Sequence, residues 1–290
     1  MNELLQKICG KALRLTYSLM GMRPTSYPYI SGDGFRSLAG HIHEAGRTFR
    51  PEDVRRGDIV FVESALIGTY FSTLHPRIEN PYTLITHNGD ANIGASEAAR
   101  IDDKIIRWFA QNVLVKHPKL IPVPIGLENA RHAGTGRASV MRRASQHIPK
   151  KNGRILAAFT AHTNPKARER ALDELRANPL ADIREGRMPQ RDYLDTLKTY
   201  GYVASPPGNG EDCHRTWEAL YVGTVPIVQP SVCVEYFRSL GIPVIITQSW
   251  KSIGKEQDEG IPISPKTLSP LFFDYWKGMI TSKNHHHEER

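Results

Sequence analysis

Arg215 and Glu218, three residues apart, are the pair in this chain best suited to hold a ligand that carries both phosphates and hydroxyls. An arginine gives bidentate hydrogen bonds to diphosphate oxygens, and a carboxylate accepts two hydroxyl donors from a ribose. The pair stands in the stretch SPPGNGEDCHRTWEALYVGTVPIV, from Ser205 to Val228. There Gly208 and Gly210 permit a sharp turn and close approach to a ligand, and Asp212 is placed to cap the following helix and leave its first N–H groups open to an anion. At helical spacing Cys213, Trp217, Leu220 and Tyr221 share an apolar face, which leaves His214, Arg215 and Glu218 on the other. Taken alone, an arginine and a glutamate three apart make a surface ion pair worth well under ~1 kcal/mol. The glycine loop, the helix start and the polar face together indicate a binding site that includes Ser205, Asn209 and His214 as well.

This loop is not the fingerprint of a nicotinamide or ATP site. Gly208-x-Gly210 is followed three residues on by Cys213 where a dinucleotide motif has a third glycine, and no Walker A sequence occurs. Metal chemistry has equally little support: there is no D-x-D, His41-x-His43 lacks two further ligands at convincing spacing, and Cys9, Cys213 and Cys233 have no C-x-x-C spacing. No metal and no cofactor is expected, and the three thiols read as reduced.

Two blocks of alternating strand and helix patterns must position this site, which predicts an α/β fold with a mainly parallel sheet in each half. In the first, Asp58 to Glu63 and Tyr82 to Thr86 are β-rich, Val113 to Val115 and Leu120 to Pro124 are weaker strands, and Phe35 to Ala45 and Asp102 to Asn112 read as helices. A polar, basic stretch from His132 to Asn152 reads as a linker. The second block opens with the strand Arg154 to Phe159. Asn164 follows as an N-cap with Pro165 at the first helical position, then Tyr193 to Leu197 (helix), Tyr200 to Ala204 (strand), Thr216 to Val222 (helix) and Val225 to Val228 (strand). Asn164 and Arg168, at the start of their helix, are candidates to add a donor and a positive charge to the same phosphates.

The segment Arg215-x-x-Glu218-Ala-Leu-x-x-Gly223-x-x-Pro226-Ile-Val resembles the donor-site motif of exostosin-like glycosyltransferases, and Phe159 to Arg168 resembles the strand-to-helix turn that opens that family's second domain. The resemblance covers roughly Arg154 to Ile246. It implies two Rossmann-like domains facing each other across a cleft (the GT-B architecture): an acceptor domain at 1–131, the linker at 132–152, a nucleotide-sugar-binding domain at 153–268, and a helix and polar tail at 269–290. It also implies an inverting transfer from a nucleotide-sugar co-substrate to a glycan or glycolipid, with Glu218 holding the donor ribose and Arg215, Asn209 and Gly210 near the diphosphate. Surface polysaccharide assembly is the family-level expectation.

An inverting transfer needs a base for the acceptor hydroxyl. His87 and Asp90 follow the Tyr82 to Thr86 strand, at the carboxyl end where open α/β sheets place ligands, and are the first candidates. Asp33, in the loop Ser31-Gly-Asp-Gly-Phe-Arg36, is another, with helix capping as its competing role. Glu128 and Asn129, in the passage out of the first half, would border the cleft.

The 290 residues carry a formal net charge of +8, which suits an anionic partner without choosing one. The basic residues are dispersed and lack interleaved aromatics, so nucleic acid is not expected. No apolar run approaches the about 20 residues of a membrane span, and no secretory signal is apparent, so a cytoplasmic location is expected. Residues 1–22 place Leu4, Leu5, Ile8, Ala12, Leu15 and Leu19 at near-helical spacing beside Lys7, Lys11 and Arg14. A packed helix is the first reading, and peripheral docking on an anionic membrane the second. His285 to His287 reads as a polar tail. The rival functions are a nucleotide-sugar-binding protein without turnover, an NAD(P)-dependent α/β oxidoreductase, and an interaction protein of envelope assembly.

Overall fold

The computed structural model describes residues 11–17, 19–132, 135–186, 188–253 and 267–282. The first part of the N-terminal helix pattern, Leu4 to Ile8, and the His285 to His287 tract lie outside the described residues.

The fold is α/β, with two five-stranded sheets whose named strand pairs are all parallel. The first sheet holds β1 (His41–His43), β2 (Ile59–Glu63), β3 (Tyr82–His87), β4 (Ile105–Ala110) and β5 (Leu120–Pro122), in that spatial order. The second holds β6 (Asn152–Ala157), β7 (Ala181–Ile183), β8 (Tyr200–Ala204), β9 (Val225–Val228) and β10 (Ile245–Ile246), ordered β10-β9-β8-β6-β7. The orders differ in a way that matters for function. The first sheet runs in chain order and never reverses. The second turns back between β6 and β8, and open α/β sheets bind ligands outside the carboxyl ends of the strands at such a reversal.

Strand alternation divides the core. Leu156 and Val203 pack into the large apolar cluster that runs through both halves, whereas Ile155, Ala157, Ala204 and Ile227 face a smaller cluster under α4 (Pro165–Arg176) with Ala171, Leu175 and Trp250. The large cluster takes in β2 to β4 and also Trp217, Leu220 and Tyr221 of α6 (His214–Tyr221), Phe237 of α7 (Val232–Ser239) and Trp276 of α8 (Phe273–Thr281). The two halves therefore share one core. α8 returns to the first half, where Phe273 meets Phe35 edge-on at 5.8 Å between ring centroids and Arg107 donates to the carbonyls of Met279, Ile280 and Ser282.

Several expected elements differ. Asp102 to Asn112, read as helical, is strand β4: its Ile-Ile-Arg-Trp-Phe run is β-branched and aromatic, and it is paired on both sides by β3 and β5. Phe35 to Ala45 splits into α1 (Gly32–Arg36) and strand β1, which pairs with β2. Val113 to Val115 is not a strand, because Asn112 takes a left-handed φ of 55° and turns the chain. Beyond the one-turn α2 (Ala95–Ala98), the expected linker carries α3 (Ala138–Gln146), whose Met141 and Ala144 are buried against α5 (Gln190–Leu197) and the rest of the core. At the other end, residues 11–17 are helical, yet Leu13, Leu15, Leu19, Met20 and Met22 are exposed, so this described part is not the packed helix expected. Among the described residues no helix is long and apolar enough to cross a membrane.

Candidate functional site

A cleft of about 530 Å³ opens at the carboxyl ends of β6 and β8, the point where the second sheet reverses. Ala158 to Thr160, after β6, and Gly208 to Gly210, after β8, form its floor and side, and Asp90, Ile125 and Glu128 reach it from the first half. His214, Arg215 and Glu218 line it from the polar face of α6, held there because Trp217, Leu220 and Tyr221 of the same helix are buried in the shared core.

Arg215 is the most telling residue. Its Nε donates to the Ala158 carbonyl at 3.2 Å, and its guanidinium lies 5.5 Å from the Phe159 ring centroid. Its Nη1 is buried without a hydrogen-bond partner. Among the described residues Thr163 Oγ1 and Gln190 Nε2 on the cleft wall share that condition, and the Tyr193 hydroxyl, buried beside them, has the Arg215 guanidinium as its polar neighbour. Buried polar atoms in folded proteins are nearly always satisfied, so unpaired donors converging on one cavity mark a place for a polar ligand. Glu218 makes no hydrogen bond or ion pair among the described residues. Burial raises its carboxyl above the ordinary range against the pull of His214 and Arg215, with Glu128 adding to the rise.

Arg168 also borders the cleft, with three of its five N–H donors engaged: Nε on Pro207 O at 2.9 Å, Nη1 on Thr160 O at 2.9 Å and Nη2 on Cys213 Sγ at 3.8 Å. It braces the glycine loop and lends positive charge to the site. Burial, with Arg215 nearby, lowers its pKa. A side chain at Gly208 would put its Cβ 2.7 Å from Arg168 Nη2, and one at Gly210 would collide with the Asn112 amide. The glycines are needed for packing against the protein's own residues.

Other expected residues sit elsewhere. Asn164 caps α4 through Ala167 N and donates to Gly208 O at 3.0 Å, and Ser205 is buried against Thr216 Oγ1 at 2.9 Å; neither lines the cleft. Asp212 does not cap α6. It is buried, accepts from the backbone N–H groups of Ile125 and Cys213 at 2.8 Å each and from Trp217 Nε1, and burial pushes its carboxyl up to about 6. Asn209 is at the rim, where its amide donates to Asp90 across the cleft at 3.0 Å.

Two of the three catalytic candidates are corrected. His87 is buried, accepts the Asn88 N–H on Nδ1 at 2.7 Å and donates from Nε2 to Pro124 O at 3.0 Å; burial lowers its pKa to about 4. With both nitrogens occupied it has no means of taking a proton from a substrate. Asp33 lies outside the cleft, buried between Arg23 Nη1 at 2.6 Å and Arg131 Nε at 3.3 Å, and also accepts from Asn88 Nδ2. Ser31, not Asp33, caps α1, and Asn129 is absorbed into the same network through Asp33 N and Asn88. Asp90 remains at the cleft.

The sequence reading missed Thr163, Gln190 and Tyr193. The two on α5 enter the cleft from a helix whose other face supplies Leu194 and Leu197 to the core, and only the tertiary packing brings them there. Compared with known proteins, the chain matches no family model and no curated sequence.

Proposed function

We propose that the chain is a GT-B glycosyltransferase of the exostosin-like type, binding a nucleotide-sugar donor in the cleft and transferring the sugar, with inversion, to a glycan or glycolipid hydroxyl. The observation that carries this reading is the set of unpaired donors around Arg215. A diphosphate supplies the acceptor oxygens that Arg215 Nη1, Gln190 Nε2 and Thr163 lack, and its negative charge meets two guanidiniums that have no carboxylate in salt-bridge range among the described residues. Glu218, unbonded and partly desolvated, accepts ribose hydroxyls. The location at the strand-order reversal of the second sheet supports the same assignment. Arginine and side-chain donors balance the leaving diphosphate in this scheme, with no metal required. The exposed Leu13, Leu15, Leu19 and Met20, flanked by Lys11 and Arg14, support peripheral contact with an anionic membrane surface where a glycolipid acceptor would be presented.

The test is release of nucleoside diphosphate from a panel of uridine, guanosine and thymidine diphosphate sugars, with water and with mixed glycan acceptors. Turnover of one donor supports the proposal. Saturable donor binding without any turnover favours a binding protein, and hydride transfer from NAD(P)H with no sugar nucleotide bound favours the oxidoreductase.

A further inference from the structure

We infer that His214 is the catalytic base of the transfer and that Glu128 is the residue that positions it; the inference rests on the transferase reading above. His214 is the first residue of α6 and reaches across to the first half, where its Nδ1 lies 2.8 Å from the Gly126 carbonyl. A carbonyl oxygen only accepts, so Nδ1 carries the proton and Nε2 of the neutral ring is a bare acceptor. That nitrogen stands 3.8 Å from Glu128 Oε2 at the cleft wall, with 35% of the histidine side chain and 30% of the glutamate exposed. The contrast with His87 is direct: both rings donate to a backbone carbonyl, but His87 has its second nitrogen covered by Asn88 N–H and is shut off from solvent, whereas His214 lines the cleft and its second nitrogen has no hydrogen bond among the described residues.

The position within the cleft fits the role. His214 and Arg215 line the same cleft, so a donor diphosphate held by Arg215 Nη1 leaves its sugar within the cavity that the imidazole borders. An acceptor hydroxyl between His214 and the anomeric carbon gives its proton to Nε2. Its oxygen forms the new bond to that carbon, the bond to the β-phosphate oxygen breaks, and the electron pair leaves on the nucleoside diphosphate. The imidazolium so formed faces the Glu128 carboxylate. Gly126, with a φ of 66° and packed on the Ile30 backbone, fixes the carbonyl that sets the tautomer.

The experiment compares wild type, His214→Gln, Glu128→Gln and His132→Gln for calorimetric binding of the nucleoside diphosphates UDP, GDP and dTDP, and for release of nucleoside diphosphate from the matching sugar nucleotides between pH 5 and 9. His214→Gln is expected to bind within about threefold of wild type and to lose about 100-fold or more in turnover, the usual span for general-base catalysis. The fall in rate toward acid, present in wild type, is expected to vanish from its residual activity. Glu128→Gln, which also removes the carboxylate 3.9 Å from His132 Nε2, is expected to lower turnover about tenfold with diphosphate binding unchanged, whereas His132→Gln keeps wild-type turnover; a merely structural glutamate would weaken binding and turnover together. Turnover retained by His214→Gln with the diphosphate bound overturns the inference and leaves the transferase reading standing. Diphosphate binding by wild type without turnover of any sugar nucleotide also overturns it, in favour of a binding protein. Failure of wild type to bind any of the three nucleotides overturns the transferase reading itself, and the inference with it.

Discussion

Asp212, in the loop after β8, accepts the backbone N–H of Ile125 at 2.8 Å, and this bond fastens the wall of the cleft in one half of the chain to the exit from the sheet of the other. Its carboxylate also holds Cys213 N and Trp217 Nε1, so a single buried group sets both the start of α6 and its seat against the first half. Asn at this position keeps the shape but offers one acceptor oxygen in place of two. Asp212→Asn is expected to cost about 1–3 kcal/mol in urea unfolding. Because burial raises the folded pKa from 3.8 to about 6, the carboxyl binds its proton more readily folded than unfolded. That contribution to stability is fully present below pH 3.8 and is lost as pH rises through about 6. Unfolding measured from pH 4 to 7 should show this component in wild type and not in Asp212→Asn.

Arg215 carries a buried nitrogen with no partner, a cost in the empty protein that a ligand would repay. Arg215→Met relieves that cost but also loses the Nε bond to Ala158 O, so thermal stability should stay within about 1 kcal/mol of wild type, while nucleoside diphosphate affinity falls about 10- to 100-fold, the worth of a charge-assisted hydrogen bond of about 1.5–3 kcal/mol. A marked loss of stability with unchanged affinity would make the arginine a structural group.

Lys151 ties two helix ends together, its Nζ donating to Lys198 O after α5, Val222 O after α6 and Thr224 Oγ1 at 2.9–3.0 Å. Methionine keeps the stem and removes all three bonds. Lys151→Met is expected to lower stability by about 3 kcal/mol, read by tryptophan fluorescence during denaturation, since it strands partly buried carbonyls.

Gly126 combines a left-handed φ of 66° with direct packing on the Ile30 carbonyl, a position where a Cβ meets backbone that has no room to move. Gly126→Ala should cost about 2–3 kcal/mol, the scale of strain at a forced backbone position. It should also displace the carbonyl that receives His214 Nδ1, visible as a changed imidazole nitrogen spectrum.

What the sequence made legible was local. The polar face of α6 follows from i, i+3 and i, i+4 spacing around Trp217 and Tyr221, and β6, β8 and β9 follow from apolar runs bounded by turn residues. β4 was hidden because charged residues at 102–104 and Arg107 imitate a helix surface, although Arg107 in fact caps the end of α8, a partner more than 170 residues away. The same remoteness explains His87, Asp33, Ser205 and Asn164. Each has a polar side chain in a loop or at a strand end, as a catalytic residue would, and each is consumed by a partner that only the fold brings near: Pro124, Arg23, Thr216 and Gly208. Gln190 and Tyr193 gave no signal because a lone polar residue beside an apolar helix face reads as surface.

The most direct test is calorimetric titration of wild type and Glu218→Ala with UDP, GDP, dTDP and NADP+. The account predicts saturable binding of one nucleoside diphosphate by wild type, weakened at least tenfold in Glu218→Ala as the ribose loses its acceptor. Binding of NADP+ alone, or equal affinity in the two proteins, would contradict it.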